Sequence, residues 1–174
     1  DNPYRVLEIN VVGTMNVLEA ARIQAVSRVV FLSSINAYGG SEGADPVGED
    51  QPLKAANAYG ASKVAGEAIL RAYRAEHGVD GVALRLGAIY GPRRTTTCLI
   101  RRLITDGLAG QTTRLPHGAG HYRQYTFYDD AADGILAALD RPDLPLAAYN
   151  ITGGSWLTVE EIGRVVATSL HNYA

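Results

Sequence analysis

The sequence has a single cysteine, Cys98, and lysine occurs only at Lys54 and Lys63 among 16 basic residues. One cysteine excludes an intrachain disulfide and a cysteine-rich metal site, as is usual in a reducing compartment. No apolar run approaches the roughly 18 residues that a transmembrane helix needs, and the first residues do not resemble a secretion signal. These absences predict a cytoplasmic protein with no membrane partner.

A surplus of positive charge is also missing. The 16 basic residues face 18 acidic ones, so the formal net charge is −2. Binding to phosphate backbones depends on a net positive field, and we therefore do not expect nucleic acid as a partner. With 174 residues, of which 47% are hydrophobic, the chain has the composition of an ordinary globular protein.

The first residues predict a helix. Pro3 suits the first helical position, and apolar residues recur at helical spacing as far as about Arg22. They form two rows rather than one: Val6, Ile9, Gly13, Val17 and Ala20, and Leu7, Val11, Met15 and Leu18. Because two apolar faces exceed what one sheet can cover, we expect a homodimer interface formed by this helix and the helix that contains Tyr59.

A strand, a helix and a second strand follow. Arg28–Ser34 is apolar without alternation, which is typical of a strand buried on both faces of a parallel sheet. A helix is predicted from about Asn57 to His77, where Gly78 can end it, and Val82–Tyr90 forms the next strand. This order indicates a parallel crossover unit and predicts an α/β fold with a Rossmann-type, doubly wound parallel sheet.

The later part of the chain has weaker patterns. We expect a division into residues 1–92 of the sheet domain and residues 93–174 of a smaller substrate-binding region with the remaining sheet elements. Within the latter, helices are predicted near Cys98–Gly107 and Asp130–Asp140, and strands around Arg114 and at Ala148–Ile151. A last helix begins at Thr158, which has a capping-box spacing to Glu161.

Tyr59 and Lys63 are four residues apart and therefore share one face of the predicted helix. A tyrosine is ordinarily a poor base at neutral pH, but a cation about 4 Å away favours the phenolate by about 4 kcal/mol at an effective dielectric near 20. The pair can thus form a proton-transfer group. The alternative is an exposed lysine that leans on a helical tyrosine.

Two further polar positions lie where ligands bind in such folds. Ser33 and Ser34 end a predicted parallel strand, at the sheet edge where open α/β sheets bind their ligands. A hydroxyl there can bond a reacting oxygen, or it can simply end the strand in a turn. Asn10 falls on an apolar stripe of the first helix, where its amide needs partners, so it either bridges structural elements or contacts a cofactor.

Four ordered segments resemble the NAD-dependent epimerase/dehydratase family, the extended short-chain dehydrogenases. They are Ile9–Ala21, Val30–Gly39, Tyr59–Lys63 and Arg85–Arg93. The resemblance implies hydride transfer on bound NAD, with NADP left open. It also implies that Tyr59 is the acid/base, that Lys63 holds the nicotinamide ribose, and that Ser34 binds the reacting hydroxyl. Asn10 and Ser33 would belong to the cofactor end of the site.

The resemblance also implies a sugar or nucleotide-sugar substrate. Arg123 is similar to an arginine that grips the substrate diphosphate, since a guanidinium binds phosphate by a bidentate fork; the alternative is a surface ion pair. Arg93 belongs to a basic cluster with Arg94, Arg101 and Arg102. Either these are solvated helix charges, or Arg93 contacts a substrate phosphate.

The chain departs from the family pattern at informative positions. Dehydratases have an Asp-Glu pair after the serine, where this chain has Ile35 and Asn36, which cannot exchange protons; dehydration is therefore disfavoured. Ala88 takes a substrate position where nucleotide-sugar epimerases usually have asparagine. Three functions follow as expectations: a sugar epimerase, a dehydrogenase or reductase of a sugar acid or other small carbonyl compound, or a non-catalytic module for binding or oligomerisation.

The family pattern also begins earlier than this chain does. Its members open with a strand and a glycine-rich turn that binds the cofactor pyrophosphate, and no such turn is present. Gly39-Gly40 and Gly153-Gly154 do not replace it, because neither pair opens a helix after a strand. We therefore expect a fragment or a truncated form whose isolated chain is inactive.

Overall fold

The computed structural model describes residues 2–40, 45–115 and 118–171; the segment 38–52, between the strand and the helix predicted above, lies partly outside these ranges. The chain forms two compact units, one of Asp1–Gly87 with Asp129–Ile151, the other of Ala88–Tyr128 with Thr152–Ala174. The division expected after residue 92 lies five residues beyond Gly87, where the first segment of the first unit ends. A single cut does not separate the units, however, because the first one also takes in Asp129–Ile151.

The secondary structure has six helices and six strands within the described ranges. The helices are α1 (Pro3–Leu7), α2 (Gly13–Ile23), α3 (Ala58–His77), α4 (Leu99–Leu108), α5 (Tyr128–Asp140) and α6 (Val159–His171), with a π-helical segment at Glu8–Val12 and a 3-10 turn at Ile35–Ala37. The strands are β1 (Val29–Ser34), β2 (Gly81–Leu86), β3 (Ala88–Tyr90), β4 (Tyr122–Phe127), β5 (Ala148–Ile151) and β6 (Trp156–Thr158).

The first unit contains a parallel sheet in the order β1-β2-β5, with Val29 opposite Gly81 and Leu84 opposite Tyr149. Successive side chains of a strand point to opposite faces, so both faces bury apolar residues. One face packs a core of Leu18, Leu70, Ala83 and Ala148, and the other packs Val82, Leu84 and Ala138. Helices α2 and α3 contribute to the first core and α5 to the second. The predicted doubly wound α/β fold is therefore confirmed.

Helix α3 forms as its local sequence predicts. Asn57 is its N-cap, and the side-chain oxygen accepts a hydrogen bond of 2.8 Å from the Gly60 amide. Gly78 ends the helix in the left-handed region, with φ +66°, where a residue without a Cβ is favoured. The helix buries Gly60, Ser62, Gly66, Glu67 and Leu70 against the sheet.

The first helix is not a regular α-helix over its whole length. It widens into the π-helical segment between α1 and α2, and it ends at Ile23 rather than at about Arg22. The irregular turn contains Asn10, whose carbonyl oxygen accepts a 2.6 Å hydrogen bond from the Thr14 hydroxyl. Single turns of π-helix often occur at functional sites. The spacing of apolar residues in the sequence cannot reveal this turn, because that spacing carries no information on the side-chain hydrogen bond that accompanies the turn.

The second unit pairs β3 with β4 in parallel and β4 with β6 antiparallel. The expected single strand over Val82–Tyr90 is wrong, because β2 and β3 belong to different sheets and Gly87 separates them. The strand expected around Arg114 is also wrong. The Thr113 hydroxyl there donates to Asp106 at 2.8 Å, which ties the segment to α4 as a loop.

The last helix has the predicted capping box. The Thr158 amide donates to the Glu161 carboxylate at 2.7 Å, and the Glu161 amide donates back to the Thr158 hydroxyl at 3.2 Å. These hydrogen bonds lower the pKa of Glu161 from its ordinary value. Within the described ranges, none of the helices combines the length and the apolar character that crossing a bilayer requires.

Candidate functional site

Tyr59 and Lys63 lie in the first turns of α3, as predicted. The Lys63 ammonium is 5.5 Å from the centre of the Tyr59 ring and 5.3 Å from the centre of the Phe31 ring. It donates a 2.9 Å hydrogen bond to the Leu32 carbonyl at the edge of the sheet. Its half-buried position lowers the pKa of Lys63 through desolvation. The two side chains therefore share one face, with the amine held beside the phenol ring.

The start of α3 is docked on the turn that follows β1. A Cβ built on Gly60 would collide with the carbonyl oxygen of Asn36 and lie 3.1 Å from the Ala55 Cβ, so only glycine permits this approach. Ser34 directly precedes the turn and is 7% exposed. Its hydroxyl oxygen accepts a 3.2 Å bond from the Asn36 amide. Ser34 thus belongs to the segment on which the Tyr59 helix rests.

The Ser34 and Tyr59 hydroxyls both have hydrogen-bonding groups that the described residues do not use. Tyr59 is 42% exposed, and within the described ranges no residue forms a hydrogen bond with its hydroxyl. The Ser34 hydroxyl likewise donates to no described residue. An oxygen that is not committed to the protein can bond a reacting hydroxyl group and exchange a proton with it.

Asn10 connects the π-helical segment to the turn that contains Tyr59. Its side-chain amide donates a 2.9 Å hydrogen bond to the Ser62 hydroxyl, which in turn donates to the Tyr59 carbonyl at 2.6 Å. Ser62 is fully buried. Of the two roles considered for Asn10, this contact supports the structural bridge, while contact with the cofactor stays a prediction.

A cavity of about 380 Å³ opens between the first helix and β1. Asn10, Thr14 and Lys63 provide its polar groups, and Val17, Phe31 and Leu32 contribute to its walls. The Lys63 ammonium has three N–H groups, and the described part of the chain bonds one of them, through the Leu32 carbonyl, which leaves two for a ligand. Of the Tyr59–Lys63 pair, Lys63 lines this cavity and Tyr59 does not.

Ser33 has a different environment from Ser34. Its hydroxyl donates a 2.6 Å hydrogen bond to the Glu67 carboxylate, and the residue is 2% exposed. Arg85 forms a bidentate pair with the same carboxylate, with Nε and Nη2 distances of 3.0 and 2.8 Å. This pairing raises the pKa of Arg85. The bonding of Ser33 is structural, and its expected contact with the cofactor stays a prediction.

This buried network is not among the features predicted from the sequence. From Arg85 it continues to the Tyr38 hydroxyl at 2.6 Å, and from there to the Asn150 side chain at 2.8 Å. An available signal was Arg85 itself, a charged residue within an otherwise apolar buried strand, which needs an opposite charge nearby. The identity of that partner could not be predicted, because Glu67 lies on another element.

The remaining predicted residues lie in the second unit. Ala88 is in β3, opposite Tyr125 of β4. Arg93 is exposed and lines a cavity of about 320 Å³ that is bounded mainly by Ile89, Tyr90 and Tyr128. Arg123 lies opposite Leu157, and its guanidinium contacts the His121 ring at 2.6 Å. Arg123 does not line the cavity beside Arg93.

Comparison with known proteins places this geometry in a family. The pattern of the NAD dependent epimerase/dehydratase family matches residues 1–152. A UDP-glucose 4-epimerase of Mycolicibacterium smegmatis is 36% identical over 141 residues, which are 79% of this chain and 45% of that protein. A dTDP-glucose 4,6-dehydratase of Streptomyces griseus is 34% identical over 153 residues, 88% of this chain and 46% of that protein. The chain thus spans about half the length of these relatives.

Solved structures agree with the sequence comparison. A UDP-glucose 4-epimerase of Thermus thermophilus, solved with NAD, has a TM-score of 0.81 at 29% identity over 94% of this chain and 55% of that one. The fold alone is shared with a UDP-N-acetylglucosamine 4-epimerase of Methanobrevibacter ruminantium, with a TM-score of 0.89 at 20% identity over 98% of this chain and 55% of that one. The chain belongs to the NAD-dependent epimerase/dehydratase family.

Proposed function

We propose that the protein containing this chain is an NAD-dependent nucleotide-sugar 4-epimerase in which Tyr59 is the acid/base. The observation that carries this proposal is the arrangement at the start of α3. Tyr59 and Lys63 share one face, with the amine 5.5 Å from the phenol ring. The helix rests directly on the turn that follows Ser34. The three side chains of the proposed site therefore belong to two segments that contact each other where β1 ends.

Each of these residues has a distinct task in the proposed reaction. The substrate hydroxyl gives its proton to the Tyr59 oxygen as its carbon is oxidised, and the same oxygen returns the proton after the sugar has presented its other face. The positive charge of Lys63 favours the phenolate that makes Tyr59 a base. Ser34 donates a hydrogen bond to the reacting oxygen and so orients it.

The cavity beside Lys63 fits the nicotinamide end of a dinucleotide. It has about 380 Å³, and it presents the two unbonded N–H groups of Lys63 together with the polar groups of Asn10 and Thr14. We propose that Lys63 binds the ribose hydroxyls there. When bound, NAD supplies the acceptor for the substrate hydride and its return. Two relatives with solved structures, from Thermus thermophilus and Bacillus cereus, contain NAD.

A nucleotide-sugar is the substrate class that the relatives favour, since their names include UDP-glucose, UDP-glucuronate and dTDP-glucose. In the second unit, Arg93 borders a cavity with aromatic walls, which suits a phosphate beside a base or a sugar. We assign Arg93 and Arg123 to the diphosphate, with Ala88 on the substrate side. Ile35 and Asn36 follow Ser34 and cannot exchange protons, which argues against dehydration.

Substitution of Tyr59 by Phe tests the proposal. With NAD and UDP-glucose as the probe substrate, Tyr59→Phe should lower kcat by about 10²- to 10⁴-fold, the usual contribution of a general acid/base. Tyr73→Phe is the matched control, since Tyr73 lies on the same helix and its hydroxyl bonds, among the residues that the structure describes, only Glu19, at 3.3 Å. Unchanged turnover in Tyr59→Phe would refute both enzyme functions and favour a binding module.

Absorbance at 340 nm separates epimerase from dehydrogenase. An epimerase inverts its substrate without net formation of reduced cofactor, whereas a dehydrogenase of a sugar acid or similar carbonyl compound releases one reduced cofactor for each turnover. The measurement uses the complete protein with NAD, with UDP-glucose and UDP-glucuronate as probes. Stoichiometric reduced cofactor would replace the epimerase proposal with the dehydrogenase.

We also propose a homodimer through the first helix. Val12 and Met15 are 48% and 45% exposed there, although both are apolar. Apolar residues on an exposed helix face are typical of an interface rather than of a free surface. Sedimentation at micromolar concentration should show a dimer, and Val12→Glu should convert it to a monomer. A monomeric wild type would contradict the proposal.

A further inference from the structure

The segment Ser34–Tyr38 is anchored at both of its ends. On one side, the hydroxyl of Ser33 donates to the Glu67 carboxylate at 2.6 Å. On the other, the hydroxyl of Tyr38 accepts a hydrogen bond from Arg85 at 2.6 Å, and the Arg85 guanidinium lies 4.9 Å from the centre of the Tyr38 ring. The short turn that begins with Ser34 is therefore fixed by two side-chain bonds.

Both anchors lead to the same ion pair. Glu67 and Arg85 are bonded through both carboxylate oxygens, and their side chains are 1% and 5% exposed. Bidentate pairs of this kind are directional, and water cannot compete for them when they are buried. The two ends of the segment are thus fixed to one rigid unit rather than to two independent surfaces.

The ion pair also fixes the segment relative to the catalytic helix. Tyr59, Lys63 and Glu67 are spaced at four residues along α3, so Glu67 continues the face of the Tyr59–Lys63 pair by one more turn. Ser33 binds the helix through Glu67, whereas the hydroxyl of Ser34 donates to no residue in the described ranges.

We infer that the buried Glu67–Arg85 pair is the positioning device of the site, because it holds the Ser34 hydroxyl in register with Tyr59 by anchoring Ser33 and Tyr38. The inference rests on the proposed function of Ser34 and Tyr59. Glu67 and Arg85 act only through other residues, and they are positioning residues rather than catalytic ones.

A double variant that cuts both anchors and keeps the ion pair tests the inference. Ser33→Ala with Tyr38→Phe removes the two hydroxyls, while Glu67 and Arg85 remain bonded to each other. We expect kcat for UDP-glucose to fall by about 10- to 100-fold, as for a reacting group misplaced by about 1 Å. KM for UDP-glucose should stay within about twofold, because ground-state binding of the sugar does not depend on the anchors.

Amide hydrogen exchange gives a readout that does not require turnover. Exchange at residues 34–38 should accelerate at least about tenfold in the double variant, with little change elsewhere in the chain. Arg71→Gln is the matched control. Arg71 contacts the same carboxylate from outside at 3.8 Å, with 52% of its side chain exposed, and its loss should change neither kcat nor exchange.

The outcomes separate this inference from the proposed function. Wild-type kcat and wild-type exchange in the double variant would overturn the inference, even if Tyr59→Phe abolishes turnover. A fall in kcat that Arg71→Gln matches would also overturn it, since the effect would then not require the loss of the two anchoring hydroxyls. If the wild type does not turn over UDP-glucose, the proposed function fails for that substrate, and exchange at residues 34–38 alone decides the inference.

Discussion

Adding one methyl group at Gly60 should lower the catalytic rate in a protein that still folds. A Cβ at this position would lie 3.1 Å from both the Ala55 Cβ and the carbonyl carbon of Asn36, and closer still to the Asn36 oxygen. Unbonded carbon atoms prefer separations of about 3.5–4.0 Å. The turn must therefore retreat from α3 by roughly 0.5–1 Å, since a backbone carbonyl cannot rotate aside as a flexible side chain can.

The expected effect of Gly60→Ala on catalysis follows from that displacement. Ser34 begins the turn and Tyr59 precedes Gly60, so the retreat moves the two hydroxyls apart. A displacement of about 1 Å costs about 100-fold in rate when reacting groups must be aligned. Overpacking should cost about 1–3 kcal/mol of stability, partly offset by the helix propensity of alanine, about 0.5–1 kcal/mol.

The assay compares two glycines in helices. Gly60→Ala and Gly163→Ala are measured for kcat with NAD and UDP-glucose and for Tm by circular dichroism. A Cβ at Gly163 meets no atom within 4 Å, so that variant should keep wild-type kcat and gain a few degrees of Tm. If Gly60→Ala retained wild-type kcat, the docking of α3 on the turn would not determine the geometry of the site.

Three further predictions concern the same elements. Lys63→Met should lower kcat by at least about 100-fold without lowering Tm at pH 7, since burial lowers the pKa of Lys63 and the folded state holds its charge at a cost. Gly66→Ala should destabilise by about 1–3 kcal/mol in denaturant titration, because its Cβ would overlap the Phe31 ring that supports Lys63. The hydrogen bonds from Thr158 lower the pKa of Glu161 below its ordinary 4.5, so their stabilisation is present above pH 4.5 and lost below it. Glu161→Gln should therefore flatten the dependence of Tm on pH in that acid range, and an unchanged dependence would contradict it.

The parts of the fold that could be predicted from sequence are those that local rules determine. The cap at Asn57, the apolar period of α3 and the left-handed glycine at position 78 all act within one helix, and its bounds were predicted to within a residue. β1 was recognisable because burial on both faces removes alternation from its sequence. The spacing of Tyr59 and Lys63 then placed both side chains on one face.

The parts that could not be predicted depend on contacts between distant residues. Nothing local distinguishes Gly87 as the point where the chain leaves one sheet for another, since both strands beside it are apolar. The π-helical segment accompanies a bond from Asn10 to Ser62, which is 52 residues away in sequence. The pairing of Glu67 with Arg85 likewise requires the helix and the strand to be packed first.

The environment of α3 changes steadily along the face that carries these residues. Tyr59 is 42% exposed, Lys63 is half-buried, and Glu67 is 1% exposed. A group that exchanges a proton must contact solvent or substrate. A residue that positions other residues must be shielded from water, because water would compete for its hydrogen bonds. Lys63 meets both requirements, because its ammonium is near the phenol and bonded to the sheet. In the proposed function the depth of each residue in the unit therefore matches its role: Tyr59 at the exposed end of the face reacts, Lys63 in the middle supplies charge, and Glu67 at the buried end holds position.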